Sequence, residues 1–312
     1  MKKLIKLGFL IMFFSVCTLM YGATALKAQD SGIQISPIDY QFEIKPGESQ
    51  TGKMTVTNKD KTALDYTVEM ELFSKVDEEG APSFAGTQKT EGVTSLVDWI
   101  AIADADKSGQ IEASSKKQFE FTINVPLGAE PGGHYAAIFI KQIKKDEQGK
   151  TQLGVSSRVG LLLLVSVPGN VKKVAKIESF TYPKFIWQGI SNTKTREFEM
   201  RVSNEGSVHF DSTSKVELKP ILGKIQTVEL GTHTILPDNT RVFKSAWLNK
   251  YPFGYYRITA TATDGNGKTM ATEGGVWAIP LIIVVPLLVG ILLLWWLLHY
   301  IKSNFQFVKK DK

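Results

Sequence analysis

Alternation of apolar and polar residues is the main feature of the segment between residues 29 and 275. Met54 and Val56 alternate with polar neighbours, and Phe119, Phe121 and Ile123 repeat the pattern further along. Because successive side chains of an extended strand point to opposite faces, each run presents one apolar face to a core. Gly, Pro, Asn and Asp separate the runs. The pattern predicts short β-strands nearly throughout.

The strand pattern divides near Val167-Pro168-Gly169-Asn170, where turn residues end a long apolar run. About seven short strands on each side are typical of β-sandwiches, so we expect an all-β chain with two tandem immunoglobulin-like β-sandwich domains, at 29–168 and 169–275. Val159–Val167, the run before the boundary, is unusually apolar. We expect it to be buried on both faces or covered by the neighbouring domain.

Apolar runs at both ends indicate export and membrane attachment. Residues 1–28 combine early lysines, the run Leu7–Met20 and small residues, which predicts a signal peptide cleaved after Ala25 or Ala28. Val276–Leu298 contains no charge and at ~34 Å exceeds the ~30 Å hydrocarbon core, which predicts a transmembrane helix at 276–301. Residues 302–312 are basic, so we expect a single-pass membrane protein with a cytoplasmic tail and an ectodomain facing the cell wall.

The charge of the whole chain, +6 with a pI near 9.1, comes from these ends. Residues 29–275 carry a net charge of −1, so the basic pI reflects topology and does not indicate nucleic-acid binding. The two predicted domains differ in sign, because 29–168 has a net charge of −6 and 169–275 of +5. That polarity could orient the domains on each other or on different partners, or it could be incidental.

Catalytic and metal-binding residues are scarce between the two ends. Cys17, the only cysteine, lies in the predicted signal, and the histidines at 134, 209 and 233 form no spacing motif. We therefore expect no metal, no cofactor and no enzymatic activity. The nominal general acid–base pairs, Glu69 with Glu71 and Glu197 with Glu199, alternate with apolar residues and are expected on solvated strand faces.

Four aromatic side chains are candidates for ligand contact. Trp99, Trp187 and Trp247 could each stack on a sugar or anchor a core. Tyr135, which follows the Pro131-Gly132-Gly133 turn, is the fourth candidate.

The order of these features resembles the WxL-interacting proteins of Gram-positive bacteria. The resemblance covers essentially the whole chain and rests on Ile35-Ser36-Pro37, Lys45-Pro46-Gly47 before Thr55-Val56-Thr57-Asn58, Val125-Pro126, and Pro131-Gly132-Gly133-His134-Tyr135. It implies a peptidoglycan-binding first domain, a host-binding second domain, and WxL-domain proteins, peptidoglycan and host extracellular-matrix protein as partners. Trp295-Trp296-Leu297 matches W-x-L but lies in the predicted membrane helix, so the chain would be a partner of WxL proteins.

The function expected on this basis is a non-catalytic, membrane-anchored surface scaffold or adhesin. Sandwich edges can recruit partners by strand addition, which requires no special side chains. Two alternatives remain open at this point: a wall-modifying enzyme that uses the paired carboxylates, and an accessory subunit of a sensor or transporter.

Overall fold

The structure is a computed structural model that describes residues 32–84, 95–143, 157–188, 196–249 and 252–304. The predicted signal peptide and residues 305–312 of the predicted tail lie outside the described residues.

The first unit contains eleven strands in its described part and one short helix. In chain order they are β1 (Ile33–Ser36), β2 (Asp39–Glu43), β3 (Ser49–Asn58), β4 (Leu64–Leu72), β5 (Lys75–Val76), β6 (Pro82–Ser83), α1 (Leu96–Trp99), β7 (Ile100–Ile102), β8 (Ser108–Ile111), β9 (Lys116–Asn124), β10 (Gly132–Gln142) and β11 (Arg158–Val167). A single turn of 3-10 helix, Asp104–Asp106, precedes β8.

Two facing sheets form this unit. One has the order β1-β3-β9-β7 and the other β2-β11-β10-β4-β8, while β5 and β6 make a separate hairpin. All pairs are antiparallel except β2 with β11, which run parallel. The alternation seen in sequence places Met54, Val56, Phe119, Phe121 and Ile123 in a fully buried core between the sheets.

The second unit repeats the design with eight strands in its described part. They are β12 (Ala175–Thr181), β13 (Phe185–Gln188), β14 (Glu197–Asn204), β15 (Phe210–Pro220), β16 (Gln226–Ile235), β17 (Thr240–Ala246), β18 (Gly254–Thr263) and β19 (Thr269–Pro280). A sheet of order β12-β14-β17 faces a sheet of order β13-β19-β18-β15-β16. Phe198, Phe243, Val216 and Ile258 are among the residues buried between them.

Corresponding turns close a strand in each unit. Asn58 ends β3 and Asn204 ends β14, and both side chains are buried. Each side-chain amide donates to the carbonyl four residues on and to a carbonyl of a distant segment, while its oxygen accepts the N–H two residues on. These side chains replace ladder hydrogen bonds where the strand turns away.

The apolar run near the C-terminus is divided between a strand and a helix. Val276 and Ala278 are buried in the second core as part of β19, and α2 (Leu281–Asn304) begins directly after Pro280. In the described part of the chain, one helix is long and apolar enough to cross a membrane, with its apolar stretch at Ile283–Ser303. The prediction of an all-β chain followed by one apolar helix is confirmed, although the helix begins five residues later than the predicted span.

Candidate functional site

The two units meet on the outer face of the sheet that contains β10 and β11. Leu161, Leu163 and Val165 point into the first core, so Leu162 and Leu164 point outward. A small apolar cluster covers part of that face. It contains Phe73, Tyr135 and Leu164 of the first unit and Leu236 of the second. The apolar character of Val159–Val167 thus reflects a second buried face, covered by the neighbouring unit.

Tyr135 and His209 form the polar centre of this contact. The Tyr135 hydroxyl accepts a hydrogen bond from the His209 backbone N–H at 3.1 Å and lies 3.2 Å from His209 Nδ1. Burial lowers the pKa of the His209 imidazole to about 4 and raises the pKa of the Tyr135 hydroxyl above its usual value. Both groups are neutral at pH 7, and the tautomer of the His209 ring determines whether the hydroxyl or Nδ1 donates in this second contact.

The β5–β6 hairpin attaches the first unit to β17 of the second. The Asn239 side chain accepts the Val76 N–H at 3.0 Å and donates to the Ser74 carbonyl at 3.1 Å. The Val242 N–H donates to the Glu78 carbonyl at 2.8 Å, and the Glu78 carboxylate pairs with Arg201. Backbone, amide and ionic contacts therefore fix the hairpin on the second unit.

A largely apolar cavity of about 610 Å³ adjoins this junction and is lined by residues of both units. Its floor is formed by Leu162, Phe139 and Gly160, and its walls include Phe84 from the side of the hairpin. A Cβ at position 160 would stand 2.6 Å from the Phe139 ring, so glycine is required for that ring to lie flat against β11. The volume falls in the range of ordinary ligand pockets.

Two basic side chains of the second unit, Arg241 and His233, face the same cavity. Arg241 forms no hydrogen bond or ion pair with any residue in the described ranges, and its Nε is buried without a partner. Burial lowers the pKa of Arg241 and the pKa of His233. The positive charge of Arg241 lowers the pKa of His233 further. Asp77 lies close enough to oppose the lowering of the Arg241 pKa but forms no salt bridge with it, so the guanidinium can still pair with a carboxylate of an occupant.

A second, more polar cavity of about 520 Å³ lies on the other side of the junction. Glu43 and Ser166 line it from the first unit, and Lys173, Asp211 and Asp264 from the second. Its mixed charges suit polar groups of an occupant better than apolar ones.

Strand β2 connects the two cavities. Ile38 and Asp39 line the apolar cavity, while Gln41 and Glu43 line the polar one. Between them the Gln41 side chain donates to the Thr234 hydroxyl on β16 at 3.1 Å, bridging the units. We name this path along β2, from Ile38 to Glu43 and facing β16, the interdomain groove.

The backbone of β2 has hydrogen-bonding groups that its described partner β11 does not use. β2 is an edge strand whose described partner is β11 on one side. The Ile38 carbonyl and the Ile44 N–H bond to β11. Since backbone groups alternate in direction along a strand, those of Asp39, Gln41 and Glu43 point away from the sheet. An extended segment could pair with this edge.

The four predicted ligand-contact aromatics are dispersed. Trp99 and Trp247 are buried; Trp99 contacts the ring of His134, and the Trp247 indole N–H donates to Gln226. Tyr135 is buried at the junction, and Trp187 is 45% exposed on β13. Their role in binding stays a prediction, and the structure brings none of the four together with another.

Three of the four carboxylates considered for wall modification are paired with cations on strand faces, and Glu197 is exposed at the start of β14. Glu69 pairs with Lys141, Glu71 with Arg158, and Glu199 with Arg201 and Lys244. Among the described residues, no group of three His, Cys, Asp or Glu side chains could hold a metal ion.

The groove residues Leu162, Phe139 and Arg241 were not singled out from the sequence. The signal that could have found the first two is the excess of apolar residues in Tyr135–Ile140 and Val159–Val167, which is more than one buried face requires. Arg241 gave no sequence signal, because its position depends on how two distant units pack.

No family model and no curated protein matches this chain. Several solved structures that align with this chain are fimbrial chaperones. The class 5 fimbriae chaperone CfaA aligns at 14% identity and a TM-score of 0.36 over 80% of this chain and 100% of its own. The E. coli chaperone DraB gives 10% identity and 0.37 over 78% and 96%, and the CsuC–CsuE complex of Acinetobacter baumannii gives 14% and 0.35 over 80% and 100%. These values are too low to carry a functional argument.

The expected membership of the WxL-interacting family is wrong on these findings. No family model supports it, and the solved structures that align with this chain include several fimbrial chaperones. WxL-domain proteins, peptidoglycan and host matrix are withdrawn as partners, as is the Gram-positive adhesin scaffold. The enzyme and the sensor or transporter subunit are withdrawn with them. The resemblance rested on Pro-Gly turns between alternating strands, which any pair of tandem sandwiches can share.

Proposed function

We propose that this chain is a membrane-tethered, non-catalytic binding protein that holds an extended polypeptide segment in the interdomain groove. Its two immunoglobulin-like sandwiches, with boundaries near 29–168 and 169–275, would stand outside the membrane that α2 crosses, with the C-terminus in the cytoplasm. The observation that carries the proposal is the juxtaposition of the free edge of β2 with the apolar cavity over Leu162.

The chemistry of the groove selects the class of occupant. Edge pairing with β2 supplies hydrogen bonds that are independent of sequence, and the cavity over Leu162 and Phe139 receives an apolar side chain. Arg241, which forms no salt bridge in the described ranges, would pair with a carboxylate of the same segment in competition with the nearby Asp77. An alternating apolar–polar segment with an acidic group or a free C-terminus therefore fits best.

A peptide-binding experiment tests the proposal. The full chain is placed in lipid nanodiscs, and a labelled ten-residue peptide of alternating Val and Thr with a free C-terminus is titrated by fluorescence anisotropy. Leu162→Glu, which puts a charge on the cavity floor, is expected to abolish binding. Leu127→Glu, at an exposed leucine that lines neither cavity, is expected to leave binding unchanged.

Two further comparisons sharpen the result. Amidation of the peptide C-terminus should weaken binding about tenfold, the value of a charge-assisted hydrogen bond of ~1.5 kcal/mol. Arg241→Gln should remove the difference between acid and amide. Equal binding by the wild-type and Leu162→Glu proteins, or no binding of any alternating peptide, would refute the groove as a polypeptide site.

A further inference from the structure

The end of the second unit from which α2 emerges exposes a group of large apolar side chains. Large apolar side chains on the connections at this end are strongly exposed: Leu222 is 89% exposed and Phe253 71%. The topology places them at one level, because Gly254 pairs with Ala278 and Pro220 with Tyr256. The set as a whole consists of Phe185, Trp187, Ile221, Leu222, Ile225, Leu248, Phe253 and Trp277. We name it the basal collar.

Aromatic rings of the collar form a row across three strands. Phe185 on β13 pairs in register with Trp277 on β19, which pairs with Tyr255 on β18. The Tyr255 and Trp277 ring centroids are 5.3 Å apart, and those of Phe185 and Trp187 are 6.5 Å apart. The row runs perpendicular to the strands, which is the arrangement of an aromatic belt at a membrane–water interface.

A pair of basic residues stands next to this row. Lys219 and Arg257 are direct cross-strand neighbours and line a cavity of about 290 Å³ together with Pro220, Ile221 and Tyr255. Like charges placed directly opposite each other destabilise a sheet. Neither side chain has an acidic partner among the described residues. The pair is therefore suited to share an anion supplied from outside the protein.

The heights of these groups above the membrane follow from chain geometry. If the cytoplasmic boundary is placed at Leu298, the last residue of the charge-free run, the helix rises ~26 Å back to Leu281, so a hydrocarbon core of ~30 Å ends near Ile279. Trp277 then lies ~7 Å beyond that boundary, among the headgroups, at a strand rise of ~3.3 Å per residue. Arg257, opposite Gly275, lies ~13 Å beyond it, from where a long side chain reaches back toward the phosphates.

We propose that the basal collar is a lipid-binding surface: its aromatic row and exposed loops enter the headgroup region, and Lys219 with Arg257 binds the phosphate of an anionic phospholipid. The proposal rests on α2 crossing the membrane and is independent of the interdomain groove. A lipid surface is the occupant that the structure favours, because β19 continues into α2 without a linker and holds this end against the bilayer. A second copy of the chain, or another protein, would have to displace that bilayer.

Depth-dependent quenching tests the proposal on the full chain in lipid vesicles. In a Cys17→Ser background, the variant Leu222→Cys is labelled with an environment-sensitive fluorophore, and Leu127→Cys, at an exposed position of the first unit, is the matched control. With headgroup-spin-labelled lipid, we expect strong quenching at position 222 and none at position 127. Equal quenching at the two positions would overturn the proposal.

Charge variants then separate a lipid phosphate from nonspecific contact. The double variant Lys219→Gln with Arg257→Gln should reduce the docked population about fivefold for each basic side chain removed. Exchanging phosphatidylglycerol for phosphatidylcholine should reduce the docked population of the wild-type protein in the same way, because the lipid then has no net negative charge. The matched double variant Lys45→Gln with Lys61→Gln, on the first unit, should have no effect. If 10 mM inorganic phosphate releases the label at position 222 from quenching, the site binds free phosphate and the lipid assignment fails.

The membrane crossing is checked in the same vesicles. An impermeant maleimide added outside should react with the Leu127→Cys variant, whereas the thiol of a Ser303→Cys variant should be protected from it. Reaction of both variants from the same side would show that α2 does not cross, and would overturn this proposal without affecting the groove.

Discussion

The Tyr135–His209 contact allows the coupling of the two units to be tested by removing a single oxygen. Tyr135→Phe leaves the buried His209 N–H without an acceptor, which costs ~1–3 kcal/mol, and removes the hydrogen-bond partner of Nδ1, which costs ~0.5–1.5 kcal/mol. The ring still fills its place in the apolar cluster. We therefore expect the free energy of unfolding to fall by about 2–4 kcal/mol.

Thermal unfolding of the full chain in nanodiscs measures this loss. For a chain of this size, 1 kcal/mol corresponds to ~2–4 °C, so the midpoint should fall by roughly 5–15 °C. Tyr40→Phe is the matched control, because its hydroxyl donates one bond to the Lys53 carbonyl at a more exposed position. If Tyr135→Phe lowers the midpoint no more than Tyr40→Phe does, the junction does not depend on this hydroxyl.

Three further predictions follow from the burial of named side chains. Burial lowers the pKa of His209 to about 4 from its usual 6.5, so the unfolded state binds the proton at a higher pH than the folded state does. The contribution of neutral His209 to the free energy of unfolding is therefore complete above pH 6.5. It is lost, by ~3 kcal/mol in all, as the pH falls toward 4. Melting curves between pH 7.5 and 4.5 should show this slope, and a His209→Asn variant that keeps it would disprove the assignment. Asn58→Ala and Asn204→Ala should each lower the free energy of unfolding by ~2–4 kcal/mol, because each removes the buried hydrogen bonds of a side-chain amide. Chemical denaturation measures this loss, and a loss below ~1 kcal/mol would contradict the burial of these amides. Gly160→Val should displace the Phe139 ring and lower affinity for the alternating peptide in anisotropy titrations, and unchanged affinity would argue against a floor built by that ring.

The strand pattern and the turns could be predicted because their causes are local. Phe119, Phe121 and Ile123 alternate with polar residues, and that period of two is itself the geometry of a strand with one buried face. Asn58-Lys59-Asp60 predicts a turn from residue chemistry alone, although the burial of the Asn58 amide becomes visible only when a distant carbonyl is placed beside it.

Features that depend on packing between distant segments could not be predicted. Tyr135 and His209 are 74 residues apart, and nothing in either neighbourhood specifies the other. The division of the apolar C-terminal run also escaped prediction, because hydrophobicity does not distinguish a core strand from a membrane helix. Val276 and Ala278 satisfy both descriptions until β18 is aligned beside them.

The uninterrupted passage from β19 into α2 determines how this molecule carries mechanical load. β19 is paired on both sides, with β18 antiparallel and β13 parallel. A pull along the axis of β19 loads many ladder bonds in shear at once instead of opening them one after another. Tension on a polypeptide bound to the second unit would therefore be transmitted to the bilayer through β19 and α2, which are joined without a flexible linker.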